Sequence, residues 1–415
     1  MLKITNKNIQ KYSESFNKSK KNILAKNTIN NNLLSESAVK HNNLNELVEI
    51  FSDKIEVKTD ISNQYNSGRC WILSFCNLLK IKMIEKYKLE ESFEFSYNYL
   101  TFWHYFESSN FFLYKILKYK NLKTDDRIIQ MFLKDPISEG GNWPNLVNII
   151  SKYGMIPKNN MKETLHSNLS DEVLHFISNT LRHFAANLRN LPSDTTEEKL
   201  EIIKDEMMEK IYKILVIFFS EPPKKIEWEY YKSNSKSDTK KYKKTTKLTP
   251  LEFYKKFIPF KIENNICLIN YPCKSKPYFY KYNCMDTGNM VEGVKNNYYN
   301  LPIEIIKEVS RNSLKHKDAL WFGCDVGKYS NYELGILDPN LIDYESIFDF
   351  NPKLDKCSKL DYFQGEISHA MLLRGTNIIN KGKKDEISNR WLVENSWGED
   401  NTGKTGNFTM SDDWF

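Results

Sequence analysis

The chain is short of several things a protein of 415 residues often has. No stretch approaches the roughly 20 apolar residues that a membrane-spanning helix needs. The best run, Ile214 to Phe219, reads as core, so no membrane partner is expected. The N-terminal Met-Leu-Lys-Ile-Thr-Asn-Lys has no apolar signal region. The seven cysteines are odd in number and contain no Cys-x-x-Cys pair, which argues against a structural zinc site and a disulfide framework. A reduced, cytosol-like compartment fits that usage. No internal repeat stands out. The net charge of +7 is modest for this length and does not by itself imply a nucleic-acid partner.

What is present is concentrated first in residues 63–76, Asn-Gln-Tyr-Asn-Ser-Gly-Arg-Cys-Trp-Ile-Leu-Ser-Phe-Cys. The segment from Trp71 to Tyr87 is apolar and free of glycine and proline, which predicts a buried helix with Cys70 in its first turn. Unpaired N–H groups there carry partial positive charge and favour an anion. A cysteine attacks a carbonyl only as its thiolate, so this position and a nearby imidazolium would both activate it. Gly68 suits a sharp turn that brings backbone close to a substrate. Gln64 carries an amide NH2 that, with the Cys70 N–H, could hold the oxyanion of a tetrahedral intermediate. A lone cysteine on an apolar helix is usually inert packing, and Cys76 is read that way.

A nucleophile needs a base and a group to orient it. Of seven histidines, His369 alone precedes a clear strand, Ala370 to Arg374. Asn395 ends the strand from Trp391 and is followed by Ser396, Trp397 and Gly398. Its side-chain carbonyl could accept from the imidazole N–H and fix the tautomer, with Trp397 shielding that bond from water.

The order Gln64, Cys70, His369, Asn395 resembles the papain superfamily of cysteine peptidases. Gly68-Arg-Cys-Trp with Val393-Glu-Asn-Ser-Trp-Gly is similar, more narrowly, to the bleomycin hydrolase and bacterial aminopeptidase C family. Glu139-Gly-Gly-Asn-Trp, Lys152-Tyr-Gly-Met-Ile-Pro-Lys, Leu248-Thr-Pro-Leu-Glu-Phe-Tyr, Gly288-Asn-Met-Val and Trp321-Phe-Gly-Cys-Asp-Val-Gly-Lys look like further landmarks of that family. They run in order from about residue 50 to the end. Small papain-like enzymes place the histidine roughly 130–150 residues after the nucleophile, whereas His369 follows Cys70 by about 300.

The resemblance implies an α+β, papain-like, two-lobed peptidase: a helical lobe, a β-barrel-like lobe and helical insertions. Residues 1–54 would be an N-terminal arm, 55–157 the helical lobe with the nucleophile, and 158–265 a helical insertion with a basic loop. Residues 266–415 would be the β-rich lobe with the histidine and asparagine. Cys70 would be the nucleophile, His369 the acid and base, Asn395 its orienter and Gln64 the oxyanion donor. Gly140 and Gly141, in a strand-like piece, would present backbone to a peptide. Trp71 and Trp397 would support the site. No cofactor or metal is required. The implied activity is that of a cytosolic aminopeptidase on peptide substrates, assembled as a homohexameric ring.

Two alternatives accompany that reading. Relatives of this type continue past the equivalent of Ser411-Asp-Asp-Trp-Phe into an arm that places a terminal carboxylate in the cleft. With Phe415 as the end, endopeptidase-like trimming becomes an alternative. The lysine-rich stretch 224–247 reads first as a solvated loop or hairpin. Its second reading is a positive patch for nucleic acid, with peptidase activity incidental.

Overall fold

The computed structural model describes residues 3–234, 239–400 and 402–415. The first two residues of the N-terminal arm and residues 235–238 of the lysine-rich stretch therefore lie outside the described residues.

The arm begins with α1 (Asn6–Lys18) and α2 (Lys20–Ile29), separated at Ser19. Ser19 leaves the helical conformation to accept from the Asn22 N–H and cap α2, which breaks the helical run in two. Short α3 (Leu34–Ser37), α4 (His41–Glu46) and β1 (Asp53–Lys54) lead into the body.

The next four helices are α5 (Cys70–Tyr87), α6 (Tyr97–Lys118), α7 (Arg127–Lys134) and α8 (Trp143–Tyr153). In α5, Trp71, Leu73, Phe75, Leu79 and Met83 are all buried. A helix apolar on all sides has to lie inside the protein. Helix α8 starts where Asn142 accepts from the Asn145 N–H, with Pro144 in the first turn.

The insertion holds α9 (Leu165–Asn168), α10 (Asp171–Arg189) and α11 (Glu197–Phe219). Helix α10 buries Val173, Ile177, Leu181, Phe184 and Leu188, one face at helical spacing, against α6 and α11. The lysine-rich stretch forms an antiparallel hairpin of β2 (Glu229–Asn234) and β3 (Thr239–Lys244). Helix α12 (Pro250–Phe257) follows, capped reciprocally by Thr249 and Glu252.

A small sheet comes next, from β4 (Cys267–Ile269), β5 (Lys281–Asn283) and β6 (Asn297–Asn300), in the order β4-β6-β5. Then α13 (Ile303–Lys315), β7 (Leu320–Cys324), β8 (Ser330–Asn331) and β9 (Ile336–Leu337) precede α14 (Tyr344–Phe348) and α15 (Lys356–Asp361). The chain closes with β10 (His369–Ile379), β11 (Ile387–Glu394) and β12 (Asn407–Ser411). The main sheet runs β1-β10-β11-β12-β9-β8, with β7 also paired to β10.

This sheet is open, which corrects the expected barrel-like lobe. Among the described residues, β8 forms one edge, β7 and β1 together form the other beside β10, and the two edges do not pair to close a ring. Strand β10 is buried over almost its whole length because α5 packs on it and it has pairing partners on both edges. It starts at His369 itself and extends well past Arg374.

A disulfide joins Cys273 to Cys357, against the expectation that the cysteines stay unbridged. The two are 84 residues apart, a separation with no local signature in sequence. Cys70, Cys76, Cys267, Cys284 and Cys324 are free.

Candidate active site

Cys70 begins α5, with Arg69 as the residue before the helix. No side chain caps that end, so its N–H groups remain directed at the first turn. The Arg69 guanidinium is buried and turns away from the thiol. It donates to Glu163 at 2.6 Å and Asn168 at 3.1 Å. Glu163 also accepts from the Asn98 N–H at 3.0 Å and the Ser167 hydroxyl at 2.7 Å. The insertion therefore holds the start of the nucleophile helix.

Helix α5 is pinned to β10 by Ser74, whose Oγ lies 2.7 Å from the carbonyl oxygens of both Cys70 and Ala370. Trp321 on β7 adds a donor bond from its indole N–H to the Trp71 carbonyl at 3.1 Å. Cys70 thereby lies against the start of β10, close enough for the Ala370 backbone N–H to favour its ionised form. The residue before Ala370 is His369. Its Nε2 lies 2.7 Å from Asn395 Oδ1. With Nε2 as the donor, Nδ1 carries the free lone pair. Asn395 Oδ1 also accepts from the Ser396 N–H at 2.7 Å, which holds the amide in that orientation. The Trp397 ring covers the imidazole, with centroids 4.9 Å apart. His369, Asn395 and Trp397 are thus in direct contact, and Cys70 is held against the residue that follows His369.

Burial pushes the Cys70 thiol up, and the backbone N–H groups of Ala370 and Trp71 pull it back. The negative charge of Glu139 adds a further upward push. Burial also lowers the His369 imidazole, and its bond to Asn395 partly restores it. Burial thus works against the thiolate, and a helix end counters it only weakly, which leaves the larger part of the activation to an imidazolium.

Gln64 lies beside this group, but its amide N–H2 donates to the Ser67 carbonyl at 2.6 Å. Nε2 carries two protons, so one is left for another acceptor. The rest of Gln64 is tied to the segment after Asn395. Its N–H donates to the Ser396 carbonyl at 2.8 Å, and the Ser396 hydroxyl donates to Oε1 at 2.8 Å. Sequence reading missed Ser396, whose only signal is its place next to Asn395. The turn's unusual backbone is at Tyr65, with φ of 51°, rather than at Gly68.

Gly68 is small for another reason. A Cβ there would lie 3.1–3.2 Å from the Glu139 side chain. That carboxylate accepts from the Gly68 N–H, the Ser170 hydroxyl at 2.7 Å and the Tyr105 hydroxyl at 2.9 Å. Glu139 is a second residue that sequence reading passed over, having quoted it only as a flank of the glycine pair.

Gly140 and Gly141 lie in an irregular segment directly before α8, which corrects the strand-like assignment. The two differ. A Cβ on Gly141 would meet the Trp71 ring at 2.6–2.8 Å, while one on Gly140 would meet only the Ser138 hydroxyl, at 3.5 Å. Gly141 is required by Trp71, whose indole N–H donates to the Glu139 carbonyl at 2.9 Å. Gly140 alone has a side open to a ligand.

The remaining histidines fall elsewhere. His104 is buried against the Trp71 ring and bonds the Ser138 carbonyl at 2.9 Å, and burial pushes it down to about 4. Cys76 is buried in the core of α5, as read. Among the described residues, one group of cysteine and acidic side chains places three ligand atoms within 4.8 Å: Cys273, Cys357 and Asp361. Its sulfurs are bonded to each other, which leaves no thiolate to hold a metal.

Known proteins resemble this chain over most of its length. The Peptidase C1-like family matches residues 3–415. Bleomycin hydrolase of Homo sapiens is 38% identical over 361 residues, covering 86% of this chain and 77% of that protein. Aminopeptidase C of Listeria innocua is 36% identical over 360 residues, covering 86% and 78%. The crystal structure of PepW from Lactobacillus rhamnosis superposes with a TM-score of 0.94 at 32% identity, over all of this chain and 90% of that one. The chain belongs to the Peptidase C1-like family, among the bleomycin hydrolases and aminopeptidases C.

Proposed function

We propose that this protein is a thiol aminopeptidase that cleaves peptide bonds with Cys70, His369 and Asn395. The observation that carries the reading is the 2.7 Å bond from His369 to Asn395, next to Ala370, whose carbonyl Ser74 ties to that of Cys70. Burial disfavours a lone thiolate and a lone imidazolium alike. Passing the proton from Cys70 to His369 keeps the two new charges together and avoids most of that cost. The thiolate attacks the scissile carbonyl, and the Cys70 N–H with the spare Gln64 proton receives the oxyanion. His369 then protonates the leaving amine and activates the deacylating water. The names of the relatives support an aminopeptidase over an endopeptidase.

The test is turnover of a fluorogenic aminoacyl amide under reducing conditions, beside Cys70→Ala. We expect Cys70→Ala to lose at least about 1,000-fold in kcat. Equal turnover in both proteins would defeat the reading. The N-acetylated substrate, run alongside, should be cleaved far more slowly if the amino terminus is read. Equal rates would favour endopeptidase-like trimming.

A cytosol-like location and a homohexameric ring are proposed with it, the first from the thiol chemistry and the second from the family resemblance. Cell fractionation and light scattering check them. Nucleic-acid binding is the second reading. The exposed lysines of the β2–β3 hairpin favour it, but Lys244 pairs with Glu227 and Glu229, and Lys240 with Glu90. Those carboxylates reduce the charge on offer, so the solvated hairpin remains the better account.

A further inference from the structure

The segment between Phe260 and Ile303 lies between the two sides of the molecule and is fastened to each. On the helical side, Asp286 accepts from Lys115 on α6 and from Tyr119 just past its end, both at 2.6 Å. Asn289 donates to the Asn145 carbonyl and accepts from Asn148, both on α8, at 3.2 and 3.0 Å. Tyr298 on β6 reaches Asn142, the residue after the glycine pair.

At its other end the segment meets α15, which belongs to the histidine side. Gln364 and Gly365 donate N–H groups to the Lys359 carbonyl. Lys328 donates to the Gln364 carbonyl at 2.6 Å, and the Ser368 N–H donates to the Cys324 carbonyl at 3.0 Å. His369 follows. The covalent tie between these two bodies is Cys273–Cys357.

The surroundings of this pair suit more than one oxidation state. The carboxylate Oδ2 of Asp361 lies 3.8 Å from the Cys273 sulfur and 3.7 Å from the Cys357 sulfur. Its Oδ1 accepts from the Tyr271 hydroxyl at 2.9 Å. A disulfide has no proton to give this carboxylate, whereas two thiols would each offer an S–H. Cys273 is buried, but Cys357 is only half-buried, so an external thiol can reach one sulfur.

We propose that Cys273 and Cys357 are a reversible dithiol–disulfide modification site that clamps the glycine-pair wall to the histidine wall. Closing it removes two electrons and two protons from the two thiols. Glutathione disulfide accepts both and leaves as two molecules of glutathione. Opening it reverses the exchange, and Asp361 then accepts from the released thiols. The clamp acts on the spacing of the walls rather than on the reacting atoms.

The experiment equilibrates the full folded chain in glutathione buffers from fully reduced to fully oxidised, quenches with iodoacetamide and maps both cysteines by mass spectrometry. Hydrogen exchange of residues 267–300 is read in parallel. We expect the cross-link to form and open reversibly, with exchange in that segment at least about tenfold slower when it is closed. Cys357→Ser should show the faster exchange in every buffer. Complete alkylation of both cysteines in the oxidised buffer would overturn the proposal. So would a cross-link that excess glutathione cannot open, or exchange that is the same in both states. None of these readouts depends on peptide turnover, so their failure leaves the peptidase reading standing, and the reverse holds too.

Discussion

At the scale of single residues, the site is governed by close contacts to Glu139 and Trp71. The Glu139 charge raises the Cys70 thiol. Glu139→Gln removes that charge and keeps one carbonyl acceptor for Gly68, Tyr105 and Ser170. The thiol should therefore ionise at lower pH, and the inflection of the iodoacetamide alkylation rate against pH should move to the acid side. A move to the alkaline side would contradict the assignment. The two glycines before α8 offer a contrast. Gly141→Ala drives a methyl into the Trp71 ring and should cost about 1–3 kcal/mol in a denaturant titration. Gly140→Ala makes only an ordinary contact with the Ser138 hydroxyl, so stability should hold while KM for peptides rises. Equal destabilisation by both would refute the separation of roles. Cys70, His369 and Asn395 were legible because each carries its chemistry in its residue type and neighbours. Glu139 and Ser396 were not, since an acidic or hydroxyl side chain acquires its role only from what folds against it.

At the scale of elements, Asp286 shows how the segment before β6 is held. Burial pushes its carboxyl up, but Lys115, Tyr119 and Lys118 outweigh that and bring it down to about 2 from 3.8. A depressed carboxyl contributes stability that is full above its unfolded value and is lost as pH falls through its folded value. Asp286→Asn should cost about 1–2 kcal/mol at pH 7, and the difference from the parent should fade as pH drops through the window from 3.8 to about 2. Thermal unfolding across that range checks the sign. A constant gap at all pH values would show that the ion pair is not the source. Helix α5 was readable from its long apolar run free of glycine and proline, because a helix buried on all sides needs that composition. The open sheet was not, since closure depends on which distant strands pair, as β1 and β7 do along one edge of β10.

At the scale of the whole molecule, the insertion is part of the peptidase body. Arg69 and Glu163 form a buried pair between the start of α5 and the segment leading into α9. Breaking a buried pair strands a charge, so Glu163→Ala should lower stability by about 3–5 kcal/mol. Urea unfolding measures it, and a loss below about 1 kcal/mol would mean that the insertion merely rests on the body. The chain order of the landmarks was enough to expect the two-sided fold. The disulfide was invisible at that stage, because Cys273 and Cys357 become neighbours only after both sides have assembled.

Gln64 and Ser396 join the two sides at their inner edge through a backbone bond and a side-chain bond, each of 2.8 Å. The Gly398 N–H adds a third link, to the Ser62 carbonyl at 3.1 Å. The same short seam holds Gln64 and, through the Ser396 N–H, the amide of Asn395. Whatever shifts one of them tugs on the other, so the proposed oxyanion donor and the orienter of His369 share a single anchorage.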